Sequence, residues 1–170
     1  MLHLRTTTWA ELNQHAADGS LYAILDACDQ PAVPAKVREL GDTRASSLYR
    51  GTAEEEYSGF APYVVQVDLE LLQWVLSVLL TEHWGIFAVA QLVDLEIMRK
   101  HFRSFLLVES PDGGRLYFRY YDPRVLKRFL PTCTDLQLRQ FLGPISTFVF
   151  NDPEKLQTAI FVEYRSSPNK

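Results

Sequence analysis

Apolar positions along the chain recur at two spacings, and the switch from one to the other marks out its elements. Trp9, Leu12 and Ala16 share one helical face behind Thr8-Trp9-Ala10-Glu11, which has the form of a capping box. Gly19 offers a left-handed stop, so a short helix is predicted over 9–18. Leu21 to Leu25 is a continuous apolar run ending at Asp26, the pattern of a buried strand. Pro31 and Pro34 suit the first turn of a helix that reaches Leu40 and stops at Gly41. Ser47-Leu48-Tyr49 reads as a short strand, and Thr52-Ala53-Glu54-Glu55 as a second capping box. Tyr63 to Val67 is the next strand. Leu69 to His83 is apolar around most of a helical circumference, which predicts a helix buried on several sides. Gly85 breaks it before a strand at Ile86 to Ala90, and Leu92, Leu95, Phe102 and Phe105 mark one face of an amphipathic helix.

Beyond residue 104 the rhythm changes. Ser104 to Val108 and Leu116 to Tyr121 flank Pro111-Asp112-Gly113-Gly114, a hairpin signal. Pro123 opens a short helix, Thr134-Asp135-Leu136-Gln137 caps another, and Ile145 to Phe150 pairs with Ala159 to Tyr164 around Asn151-Asp152-Pro153. Strands alternating with helices predict parallel βαβ units in the N-terminal half, and the hairpins predict antiparallel pairing in the C-terminal half. The expectation is an α/β fold: one mixed sheet with helices packed around it, as a single domain over 1–170. A two-lobed arrangement split near 104 is the rival.

Composition narrows the class of function. Of the 170 residues, 47% are hydrophobic and 22% charged, ordinary values for a globular chain able to build a core without staples. A net charge of −4 argues against a phosphate-binding surface, so nucleic acid is not an expected partner. Cys28 and Cys133 form no C-x-x-C pair and read as reduced thiols. Residues 1–8 lack a charged-then-apolar leader pattern, and the apolar stretch from Leu69 to Leu80 is too short to span a bilayer. A cytoplasmic protein with no membrane partner is expected.

Few residues offer chemistry. Asp26 and Asp29 follow the first predicted strand, where ligands sit in doubly wound folds, and two carboxylates there could hold magnesium for phosphoryl transfer. The plainer reading is a turn and an N-cap for the helix at Pro31. No two of His3, His15, His83 and His101 share i, i+4 spacing, and no phosphate loop or nucleophile elbow is present. One segment stands apart, Phe118-Arg119-Tyr120-Tyr121-Asp122-Pro123-Arg124. Asp122 and Pro123 fit N-cap and first helical position. Arg119 has two readings: turned inward it needs a carboxylate, Asp122 or Asp26, and turned outward beside Tyr121 and Arg124 it makes an arginine–aromatic contact surface. Arg119, Tyr121, Asp122, Pro123 and Arg124 are therefore the candidate partner-binding residues, with no metal, cofactor or catalytic residue expected.

These blocks also carry a resemblance. Leu21-Tyr22-Ala23-Ile24-Leu25-Asp26, Ser47-Leu48-Tyr49-Arg50-Gly51-Thr52, Ala61-Pro62-Tyr63-Val64-Val65, Trp84-Gly85, Phe118 to Leu126 and Phe141-Leu142-Gly143-Pro144 occur in an order and spacing that resemble a bacterial domain-of-unknown-function family. Its members act as type VI secretion effector chaperones, or Tap/TEC adaptors. The resemblance covers about residues 21–145. It implies a protein that is no enzyme, that binds a toxic effector in the producing cell and that helps load it onto a VgrG spike or its PAAR tip.

Overall fold

The computed structural model describes residues 2–28, 30–79, 83–110 and 112–164. Its elements, in chain order, are β1 (Leu2–Thr7), α1 (Leu12–Ala17), β2 (Leu21–Asp26), α2 (Ala32–Leu40), β3 (Ala45–Ser47), α3 (Thr52–Glu56), β4 (Pro62–Gln66), α4 (Leu69–Leu79) and β5 (Gly85–Val89). There follow α5 (Leu95–Arg103), β6 (Leu107–Glu109), β7 (Arg115–Tyr117), α6 (Pro123–Phe129), α7 (Asp135–Leu142), β8 (Thr147–Asp152) and β9 (Lys155–Tyr164). Seven strands form one sheet in the order β1-β9-β8-β5-β2-β4-β3, and β6 and β7 form a separate hairpin. Strands from both sides of residue 104 thus share the large sheet.

Every neighbouring pair in that sheet is antiparallel, which overturns the expected parallel βαβ units. The reason lies in strand placement. β4 and β5 are both antiparallel to β2, so they run in the same direction as each other and are joined by α4, as a βαβ crossover requires. β2, however, occupies the slot between them. The linear alternation of strand and helix is the same whether that slot is empty or filled.

Both faces of the sheet are covered. Leu21, Ala23 and Leu25 of β2 point to a core closed by α1, α2 and α4 through Leu12, Val33, Leu72 and Val75. Tyr22 and Ile24 point to a second core, closed by α5, α6 and α7 through Met98, Phe102, Leu126 and Phe141. An antiparallel sheet buried on both sides reads as continuous apolar strands, the signature more often seen in parallel sheets. The second core is aromatic: the Phe102 and Tyr120 rings stack at 5.8 Å, Phe118 meets Phe129 at 4.7 Å, and the Tyr120 hydroxyl donates to the Phe102 carbonyl at 2.8 Å. Full burial of each such side chain contributes about 1.5–3 kcal/mol.

Several local expectations shift. Asp122 and Thr134 cap α6 and α7 as their sequences predict, Thr134 with a complete capping box to Gln137. Thr8 makes no side-chain cap, because Glu11 is drawn to Arg5 at 2.7 Å and a 3-10 turn precedes α1. Thr52 is inside α3, whose N-cap is Gly51 at φ 57°. The short strand at Ser47-Leu48-Tyr49 falls at Ala45–Ser47 instead. His83 lies outside α4, and Leu92 lies outside α5, whose N-cap is Asp94. β1 was not predicted, and it leaves β9 inside the sheet.

Candidate functional site

The segment 118–124 connects the β6–β7 hairpin to α6 at the end of the sheet where β2 finishes. Phe118 is anchored by its N–H to the Leu106 carbonyl at 2.9 Å, which ties the hairpin base to the body. Tyr120 is then buried in the aromatic core, and this places Arg119 and Tyr121 over the end of β2. Of the two carboxylates open to Arg119, the fold selects Asp26: the guanidinium donates to its Oδ2, while Oδ1 accepts the Cys28 N–H at 3.0 Å. Asp26 itself is held by its own N–H to the Trp84 carbonyl at 2.8 Å.

Asp26 is buried, whereas the Arg119 side chain keeps 46% of its surface in solvent. Burial pushes the Asp26 carboxyl above its ordinary pKa, and the Cys28 N–H and Arg119 oppose the shift without cancelling it. Asp122 is the counterpart. Burial also disfavours its charge, but Arg124 reaches it through Nε at 2.9 Å and Nη2 at 2.6 Å, and the Arg124 N–H donates to Oδ1, so its pKa falls below the ordinary value. The Arg124 side chain is 56% exposed. Two guanidiniums therefore sit half in water, each on a buried carboxylate. Arg119 lies over the Tyr121 ring at 5.9 Å, and Tyr121 shares a 3.2 Å hydroxyl contact with Tyr117. Desolvation raises the pKa of both phenols even though Tyr117 as a whole keeps 42% of its surface in solvent, so they stay neutral donors and acceptors.

Of the five candidate residues, Arg119 and Arg124 present side chains to solvent. Tyr121, Asp122 and Pro123 are buried and support them. Asp29 lies outside the described residues, and the Asp26 carboxylate, proposed with it as a magnesium pair, is occupied by Arg119 and Cys28. Among the described residues no group of three or more His, Cys, Asp or Glu side chains is placed to hold a metal.

The structure adds residues that the pattern did not single out. Leu107 lies opposite Tyr117 and Val108 opposite Leu116 on the hairpin, with Leu107 59% and Leu116 55% exposed. Tyr49, which follows β3, meets the Tyr117 ring edge-on at 6.3 Å. The surface thus runs from an apolar hairpin through tyrosines to two arginines. Hydropathy could not separate Leu107 and Leu116 from core strand residues, since exposure depends on the hairpin lying outside the large sheet.

Residues 21–140 match the family model described as a domain of unknown function, DUF4123. The chain belongs to this family. The matched span of the DUF4123 domain opens at β2 and closes within α7, so it includes Asp26, the hairpin and the whole 118–124 segment. No curated protein and no solved structure gives a significant match to the chain. Among the described residues, no helix of this DUF4123 domain is long and apolar enough to cross a membrane.

Proposed function

We propose that this DUF4123 domain is a type VI secretion effector chaperone: it binds a toxic effector in the cytoplasm and helps load it onto the VgrG spike or PAAR tip. The ordered motif resemblance supports the reading, and so does the composition of the candidate surface. The observation that carries it is the exposed Leu107, Leu116 and Tyr117 of the hairpin beside half-exposed Arg119 and Arg124. Apolar, tyrosine and arginine side chains are the groups that dominate binding energy at protein interfaces. Arginines already seated on buried carboxylates lose less side-chain freedom when a partner arrives.

The test is co-expression with effectors encoded beside this gene, followed by co-purification. Wild type is expected to retain one of them. Leu107→Ser combined with Leu116→Ser is expected to weaken the complex at least about tenfold. Its melting temperature should be nearly unchanged, since both side chains already face water. Failure of wild type to hold any neighbouring effector or spike protein would sink the proposal.

A further inference from the structure

A second surface differs from the first in charge and position. An open groove of about 1050 Å³ runs past the edge strand β3, from the end of α1 to the start of α5. Among the described residues its walls carry Asp18, Asp42, Glu54, Asp94 and Glu96 against Arg99, with Lys100 reaching Glu96 at 3.6 Å and Arg103 near Glu54 and Glu96 from outside the lining. Some of the acids are engaged: Asp94 caps the Ile97 N–H at 2.7 Å, Asp18 accepts the Ser20 N–H at 3.0 Å, and Glu96 meets Arg99 at 3.2 Å. Among the described residues neither Asp42 nor Glu54 has an ion-pair partner within 4 Å, though Glu54 lies near enough to Arg103 to feel its charge.

The groove also has an apolar rim. Leu92 is fully exposed and has a positive φ of 56°, the sole non-glycine residue with one among the described residues. A Cβ disfavours that conformation. The loop does not fray at this point, since the Tyr22 hydroxyl donates to the Val93 carbonyl and Asp94 begins the next helix. Leu92 is therefore held outward on a fixed loop, and half-exposed Ile97 lines the same groove from α5. Apolar anchors ringed by carboxylates complement a segment that offers apolar side chains and positive charge together.

We propose that this groove docks an apolar, lysine- or arginine-bearing segment of a partner polypeptide, with Leu92 and Ile97 as anchors and Asp42 and Glu54 facing its cations. This surface is separate from the hairpin and does not depend on the hairpin binding an effector. The experiment uses the full chain and three fluorescein-labelled peptides of equal length, alternating Lys–Leu, Lys–Ser and Glu–Leu, with binding followed by anisotropy. The Lys–Leu peptide is expected to bind at least about tenfold more tightly than the other two and to weaken with added salt. Asp42→Asn with Glu54→Gln should cost about tenfold in affinity. Leu92→Asn should also weaken binding while melting at or above the wild-type temperature, because asparagine accepts the left-handed backbone. The Leu107→Ser, Leu116→Ser variant should bind the peptide as wild type does, which separates failure here from failure of the chaperone reading. Equal binding of the Lys–Ser peptide would reduce the effect to diffuse charge. That result, no binding of the Lys–Leu peptide, or wild-type affinity in the groove variants would overturn the proposal.

Discussion

Gly143 meets two constraints at once. It ends α7 at φ 53°, and a Cβ placed there would lie 2.4 Å from Cε1 of His101. The His101 ring cannot move freely, because Nε2 donates to the Phe141 carbonyl at 2.9 Å. Gly143→Ala is therefore expected to cost about 2–4 kcal/mol in urea unfolding, combining left-handed strain with displacement of the ring. Adding His101→Ala should recover part of the loss, a non-additivity that a double-mutant cycle measures. The sequence does not reveal this demand on Gly143, since its contact with a residue 42 positions earlier comes from the packing of α5 on α7. Arg119 is similar. Its need for a carboxylate is legible, but the choice between Asp26 and Asp122 is made by the path of the chain after β7.

At the scale of elements, local signals succeeded where local groups could satisfy them. Asp122-Pro123 is one such case: the Asp122 carboxylate accepts the Arg124 N–H at 2.9 Å and Pro123 fills the first helical position. Asp122→Ala is expected to lower stability by about 1–2 kcal/mol, and Asp122→Asn by less because it keeps the acceptor, as thermal or urea unfolding would show. Signals failed where a distant partner competed. Glu11 of the apparent first capping box pairs with Arg5, a residue of β1, and leaves Thr8 without its reciprocal bond. β1 offers only the short alternation Leu2-His3-Leu4-Arg5, too brief to stand out, and His3, Leu4, Arg5 and Thr6 are all exposed on an edge strand. Leu92 looked like part of an amphipathic face because its spacing from Leu95 fits a helix. The Asp94 cap starts that helix later and leaves Leu92 outside.

The whole molecule joins these parts through one sheet with a core on each face, and its pH response follows from the groups those cores enclose. Burial lowers the His101 pKa below 6.5, opposed by the Phe141 carbonyl. An unfolded histidine takes its proton near pH 6.5, while the folded one takes it only at lower pH. Between those values the unfolded state binds more protons, so stability falls as pH drops through the window. Asp122, with its lowered pKa, adds a further loss at more acid pH, below about 3.8, while Asp26 acts in the opposite sense because its folded pKa is raised. Urea midpoints between about pH 7 and 5 should therefore decline for wild type and less steeply for His101→Asn. A slope unaffected by that substitution would remove His101 from the account.

By itself the sequence determined most helix positions, the hairpin turn, the caps of α6 and α7, and the apolar strands, because each depends on groups within a few residues of one another. It also singled out the segment from Phe118 to Arg124. Strand order, the insertion of β2 between β4 and β5, the Asp26 partner of Arg119 and the exposure of Leu107, Leu116 and Leu92 were decided by tertiary structure. Each depends on which surfaces meet across long stretches of chain, and hydropathy records that a side chain avoids water without recording what covers it.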